Sequence, residues 1–78
     1  GLAFSVSPNP ATDVLNIHID EPIVQVNIYD GIGRLIHTQA TSNTVQLGGL
    51  QAGVYHCQVI GKNGKVGSKK IVKSGPGR

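Results

Sequence analysis

Apolar and polar side chains alternate along most of the chain. Three segments place their apolar residues on one side of an extended backbone: Leu15, Ile17 and Ile19; Val24, Val26 and Ile28; and Tyr55, Cys57 and Val59. A period of two is typical of β-strands with one buried face, whereas an amphipathic helix needs apolar residues three and four apart. No window of useful length has that helical spacing, so the pattern predicts an all-β protein.

Turn-forming residues separate the alternating segments. Pro8 and Pro10 lack the N–H that a sheet requires, and they end the first strand. Residues 30–33 (DGIG) and the pair Asn63-Gly64 are typical of tight hairpin turns that need positive φ angles. Strands are therefore predicted at residues 3–7, 13–20, 23–30, 33–39, 43–47, 53–60 and 65–73.

About seven short antiparallel strands at this spacing favour an immunoglobulin-like β-sandwich, with a small barrel as the alternative. We expect residues 1–73 to form the domain and residues 74–78 to be a flexible tail. Strands 33–39 and 65–73 carry apolar residues on both faces, which permits two isolated copies to pair edge to edge as a homodimer.

The size of the chain limits what it can hold. Its 78 residues allow one thin core and little room for a deep substrate cavity. The single cysteine, Cys57, excludes an internal disulfide framework and is interpreted as a small core hydrophobe. No apolar run is long enough for a transmembrane segment, and we expect any export signal to lie upstream of Gly1.

Charge is distributed unevenly along the chain, although the net charge is only +3. All four acids lie in the first thirty residues: Asp13, Asp20, Glu21 and Asp30. Six of the seven basic residues follow Gly61: Lys62, Lys65, Lys69, Lys70, Lys73 and Arg78. Such lysines attract a negatively charged partner, or they protect an edge strand from aggregation. The sequence leaves both interpretations open.

The residues indicate no catalytic site, and we expect neither an enzyme nor a cofactor. The histidines are too far apart for a typical metal site, and His56 and Cys57 are strand neighbours that point to opposite faces. Three aromatic residues are too few for a base-stacking platform, so nucleic acid is not expected as a partner. Residues 50–55 (LQAGVY) instead resemble a tyrosine corner, with Tyr55 bonded to the backbone a few residues upstream and Leu50 beneath it.

Four motifs, in this order and spacing, resemble one known family. They are residues 4–11 (FSVSPNPA) with 14–17 (VLNI), residues 28–30 (IYD) with 33–35 (GRL), residues 50–55 (LQAGVY), and residues 69–73 (KKIVK). Together they span residues 4–73 and resemble the type IX secretion (Por secretion system) C-terminal sorting domains of Bacteroidetes. Each motif is weak alone, but the ordered set is specific.

The resemblance implies a non-catalytic secretion signal with an immunoglobulin-like fold. Such a domain follows an N-terminal cargo protein and is read in the periplasm by outer-membrane type IX translocon and shuttle proteins. A sortase-like protease then usually removes it, which leaves the cargo at the cell surface or secreted. The resemblance implies that translocon recognition uses the most exposed strand, at Lys69, Lys70, Ile71, Val72 and Lys73. It implies structural roles for Pro8, Asn9, Pro10, Gly33, Leu50, Gly53 and Tyr55.

The alternative is an immunoglobulin-like accessory or adhesive module that binds glycan or stabilises a secreted enzyme. Glycan-binding modules present aromatic side chains, and Tyr29 alone offers little support for one. The lysine-rich last strand favours the sorting domain, because an adhesive module has no need of it. The chain departs from the family at its end, since the family stops near its last lysine and residues 74–78 continue here.

Overall fold

Seven β-strands make up most of the computed structural model, which describes residues 2–75. In chain order the strands are β1 (Ser5–Ser7), β2 (Val14–His18), β3 (Ile23–Asp30), β4 (Leu35–Gln39), β5 (Thr44–Gln46), β6 (Gly53–Gly61) and β7 (Val66–Lys73). Each strand begins and ends within two residues of its predicted bounds, and the all-β prediction is confirmed. Residues 76–78 of the predicted tail lie outside the described part of the chain.

The strands form two antiparallel sheets. One sheet has three strands in the order β1-β2-β5, and the other has four in the order β4-β3-β6-β7. Their apolar faces share one core, which gives an immunoglobulin-like sandwich rather than a closed barrel. β7 therefore lies at an edge of its sheet, with β6 as its neighbour in the ladder.

The core consists of the side chains that the alternation places inward. Leu15 and Ile17 of β2 and Val45 of β5 face the other sheet, which contributes Val26, Ile28, Cys57, Val59 and Ile71, all at most 1% exposed. Leu2, Phe4, Ala11, Ile23, Leu47 and Tyr55 complete the cluster. The interpretation of Cys57 as a core hydrophobe is confirmed, and burial raises the pKa of its thiol to about 11.

The start of β3 departs from the predicted alternation. Ile23 pairs with Gly61 and Gln25 pairs with Ile60, so one extra residue lies between the two pairs. That residue, Val24, is 49% exposed, whereas Ile23 is buried. The prediction that Val24 shares the core face is wrong, because the bulge reverses the facing of the strand at this point.

Both predicted hairpin turns adopt left-handed backbone angles. Asn63 has a φ of 69° and Gly64 a φ of 78°. The connection between β6 and β7 is nevertheless longer than the predicted two-residue turn, because Ile60 pairs with Val66 and a single 3-10 turn (Lys62–Gly64) lies between them. In the turn between β3 and β4, Oδ1 of Asp30 accepts the N–H groups of Ile32 and Arg34 at 3.1 and 2.9 Å. The pKa of Asp30 is lowered, chiefly because the Arg34 N–H stabilises the charged carboxylate.

The predicted tyrosine corner is present at the start of β6. The Oη of Tyr55 donates a hydrogen bond to the carbonyl oxygen of Gln51 at 2.6 Å, and the ring is buried. Leu50 is partly buried and packs against the same core. The corner therefore joins the loop after β5 to the first residues of β6.

We predict that Tyr55→Phe lowers the free energy of unfolding by about 1 kcal/mol or somewhat more, because the Gln51 carbonyl loses its donor. Urea unfolding followed by circular dichroism measures the loss. Tyr29→Phe is the matched control, because the Tyr29 hydroxyl donates over a longer 3.3 Å to Gln58, a side chain with a second donor. Equal losses in the two variants would contradict the structural role of the corner.

We also predict that Cys57 makes the domain sensitive to alkali. The pKa of the thiol rises from 9.0 to about 11 on folding. The contribution of the buried, neutral thiol to the free energy of unfolding is therefore complete below pH 9 and is lost as the pH rises towards 11. Between pH 9 and 11 the thiol ionises in the unfolded chain but not in the folded chain, which lowers the free energy of unfolding by up to about 1.4 kcal/mol per pH unit. Urea unfolding of wild type and Cys57→Val should diverge between these pH values; parallel profiles would disprove the linkage.

Candidate functional site

The side chains of β7 are not equally available, although the whole segment 69–73 is predicted to be exposed. Lys69 and Lys70 are exposed and Val72 is half-buried. Ile71 is 0% exposed and Lys73 only 3%. The expectation of exposure is therefore wrong for Ile71 and Lys73, because alternate residues of the strand face the core.

Lys73 has a structural position at the end of β7. Its backbone pairs with Gly53 on one side and forms a parallel bridge with Ala11 on the other. The Nζ donates to the carbonyl oxygen of Ser74 at 2.7 Å, which supplies the acceptor that a buried ammonium needs. Lys73 thus joins β6 and the segment at Ala11 at the end of β7.

Lys69 begins on the core-facing side of β7 and still reaches solvent. It lies directly opposite Cys57, which is fully buried, and opposite residues of an antiparallel pair share a face. Lys69 is nevertheless exposed, since β7 is the edge strand of its sheet and a lysine at an edge can keep its ammonium group in water. Lys70 points to the outer face, opposite His56.

The beginning of the chain lies along the open side of β7. Residues 2–11, here called the N-terminal strap, run parallel to β7 and bond to both of its ends. The Leu2 N–H donates to the Val66 carbonyl at 3.2 Å, and the Ala11 N–H donates to the Val72 carbonyl at 2.8 Å. The strap therefore covers much of the edge that a sandwich leaves exposed.

Asn9 bonds to β7 through its side-chain amide. Its Oδ1 accepts the Val72 N–H at 3.0 Å, and its Nδ2 donates to the Lys70 carbonyl at 3.4 Å. The amide thus replaces the peptide group of a neighbouring strand. The sequence motif includes Asn9 between Pro8 and Pro10, but its contact with residues more than sixty positions later was not predicted.

Gly67 permits the close approach of the strap. A Cβ at this position would collide with the carbonyl oxygen of Leu2 and lie 3.0 Å from the ring of Phe4. Leu2 and Phe4 are themselves buried. The glycine in β7 is thus required by packing rather than by a turn.

The outer face of the four-stranded sheet carries a polar network that the sequence pattern did not reveal. The Oδ1 of Asn27 accepts from Gln25 at 2.9 Å and from Thr38 at 2.7 Å, and its Nδ2 donates to Gln58 at 2.9 Å. Tyr29 also donates to Gln58. Asn27 is only 5% exposed, so these side chains form a closed layer of satisfied hydrogen bonds.

The described residues bring no metal-binding cluster together. Within residues 2–75, no group of three or more His, Cys, Asp or Glu side chains is placed to hold a metal ion. His18 is hydrogen-bonded to Ser7 at 2.6 Å, and His37 to Gln39 at 2.7 Å.

No helix of the described chain is long and apolar enough to cross a membrane.

We predict that Gly67→Ala lifts the strap from β7 and lowers the free energy of unfolding by about 1–3 kcal/mol, the usual cost of overpacking. Hydrogen exchange measures both effects, since the amide of Leu2 should lose protection. Gly49→Ala is the control, because a Cβ at Gly49 meets no atom within 4 Å. Unchanged protection of Leu2 in Gly67→Ala would show that the strap is not held by this contact.

Comparison with known proteins agrees with the motifs and the fold. The family model described as "Secretion system C-terminal sorting domain" matches residues 5–74. The match begins at the first residue of β1 and ends one residue after β7, so it includes all seven strands. No curated protein sequence matches the chain. Because the family match covers most of the 78 residues, the chain belongs to the secretion system C-terminal sorting domains of type IX secretion.

Proposed function

We propose that the domain directs an attached cargo protein across the outer membrane through the type IX translocon. Family membership assigns it a sorting signal, attachment to a cargo, contact with the secretion machinery, and transit to the outer membrane or cell surface. Beyond these, we propose the route that the domain takes. Translocon and shuttle proteins read the folded domain in the periplasm, and a sortase-like protease then separates it from the cargo.

The extent of the family match is the observation that carries this proposal. Residues 5–74 contain both sheets, the strap from Ser5 onward and the whole of β7. A short linear signal would need only a few of these residues. The match over the entire sandwich supports a signal that is read as a folded surface, and this role requires no catalytic group from the domain.

The exposed lysines of β7 support contact with an acidic partner. In residues 2–75, Arg34 pairs with Asp30 and Lys65 with Glu21, but neither Lys69 nor Lys70 pairs with a carboxylate. Their charges are therefore available, and charge complementarity increases both the rate and the selectivity of an encounter. Ile71 and Lys73, in contrast, hold the strand in its sheet.

A glycan-binding module is less well supported. Tyr29 is only half-exposed, and its hydroxyl is bonded to Gln58 within the polar network. A carbohydrate would have to compete with hydrogen bonds that the side chains already make to one another. We therefore retain the sorting role alone.

We predict that residues 1–78, fused behind a reporter with its own export signal, deliver the reporter to the surface of a cell that has the type IX machinery. Protease accessibility on intact cells and fractionation give the ratio of surface to periplasmic reporter. Two controls are the reporter without the domain and the fusion in a cell without the translocon. We expect both to remain in the periplasm.

Retention of the intact fusion in the periplasm of the competent cell would overturn the proposed function. Deletion of residues 69–73 is not a suitable loss-of-function variant. It would remove Ile71 from the core and the strand bonds of Lys73, so loss of delivery would report unfolding.

A further inference from the structure

A short part of the outer edge of β7 has backbone groups without partners. In an antiparallel strand, the N–H and C=O of one residue point to the same side, and the side alternates along the chain. Val66 and Val72 point away from β6, because the strap binds their carbonyls. Ser68 and Lys70 therefore point away as well. Within residues 2–75, the Ser68 N–H, the Ser68 carbonyl and the Lys70 N–H have no hydrogen-bond partner.

The strap defines both limits of this stretch. Leu2 covers the edge at Val66 and Gly67, and Asn9 covers it from the Lys70 carbonyl onward. Between these two contacts the strap leaves β7, since β1 pairs with β2 in the other sheet. The result is an open window, residues 68–70, in an otherwise covered edge.

The charge around the window is positive. Lys69 and Lys70 are exposed, and they extend to opposite faces of the strand at the window itself. Neither forms an ion pair with a described carboxylate. An incoming strand would thus meet unpaired backbone groups in the plane of the sheet and an ammonium group on each face.

We propose that an acidic, extended segment of the protein that reads this domain adds to β7 as a further strand across residues 68–70. The inference rests on the proposed function and names the mode of recognition. Backbone hydrogen bonds supply affinity in such strand addition, and side chains supply selectivity. Carboxylates of the segment would pair with Lys69 and Lys70.

The geometry also argues against a second copy of the chain as the occupant. Two β7 edges brought together would place their own lysines against one another, and like charges facing each other are destabilising. The strap further restricts the added strand to about three residues in contact. A partner loop or chain end fits this limit better than a long sheet edge.

The decisive comparison is Ser68→Pro against Ser68→Ala in the reporter fusion. Proline removes the outward N–H of Ser68, which bonds to nothing in the domain, and proline is tolerated at edge positions of this kind. Alanine keeps that N–H. We expect Ser68→Pro to lower the ratio of surface to periplasmic reporter about fivefold or more, as loss of one hydrogen bond implies, and Ser68→Ala to match wild type.

A charge-matched pair provides an independent test. Lys70→Glu and Lys62→Glu each lower the net charge by two, from +3 to +1, and only Lys70 lies at the window. We expect delivery to fall in Lys70→Glu alone. Urea unfolding of each variant is measured in parallel. If Ser68→Pro unfolds at a lower urea concentration than wild type, the comparison of Lys70→Glu with Lys62→Glu is the test of strand addition.

Three results separate the possibilities. Failure of the wild-type fusion to reach the surface would refute the sorting role itself. If the wild-type fusion is delivered normally, equal delivery of Lys70→Glu and Lys62→Glu would overturn strand addition at the window. Equal delivery of Ser68→Ala and a stably folded Ser68→Pro would overturn it as well. A dimer of the isolated domain that Ser68→Pro abolishes would assign the edge to a second copy and also overturn it.

Discussion

The architecture depends on the contact between the first residues of the chain and its last strand. A sandwich of two sheets leaves β7 with an unpaired edge, and unpaired edges invite association with other chains. The strap covers both ends of this edge, with main-chain bonds from Leu2 and Ala11 and with the amide of Asn9. The bare backbone of Gly67 makes the approach sterically possible.

The residues of β7 have different roles because one side of the strand faces the core. Ile71 and Lys73 face inward and hold the strand, whereas Lys69 and Lys70 are both exposed. A strand with this arrangement presents charge while its Ile71 side chain is fully buried. The same lysines oppose edge-to-edge pairing, so the protective and the attractive interpretations of the basic end describe one physical property.

The surface that we propose for recognition exists only in the folded chain. The window at residues 68–70 is bounded by Leu2 on one side and Asn9 on the other, and both are distant in sequence from β7. The polar network over Asn27 and the corner at Tyr55 support the sheet that carries this strand. Stability and the proposed recognition are therefore coupled, since loss of the fold removes the window itself.

The sequence alone determined the strands, the positions of the turns, the family and the all-β class. Alternation of side chains and the local needs of Asn63-Gly64 and Tyr55 act between near neighbours, so they can be read from the order of residues. Only the tertiary structure decided that Val24 faces solvent, that Lys73 is buried while Lys70 is exposed, and that Asn9 binds β7. The physical reason is that a bulge, an edge position and a strap depend on which strands become neighbours, and that choice is made by packing the whole core at once.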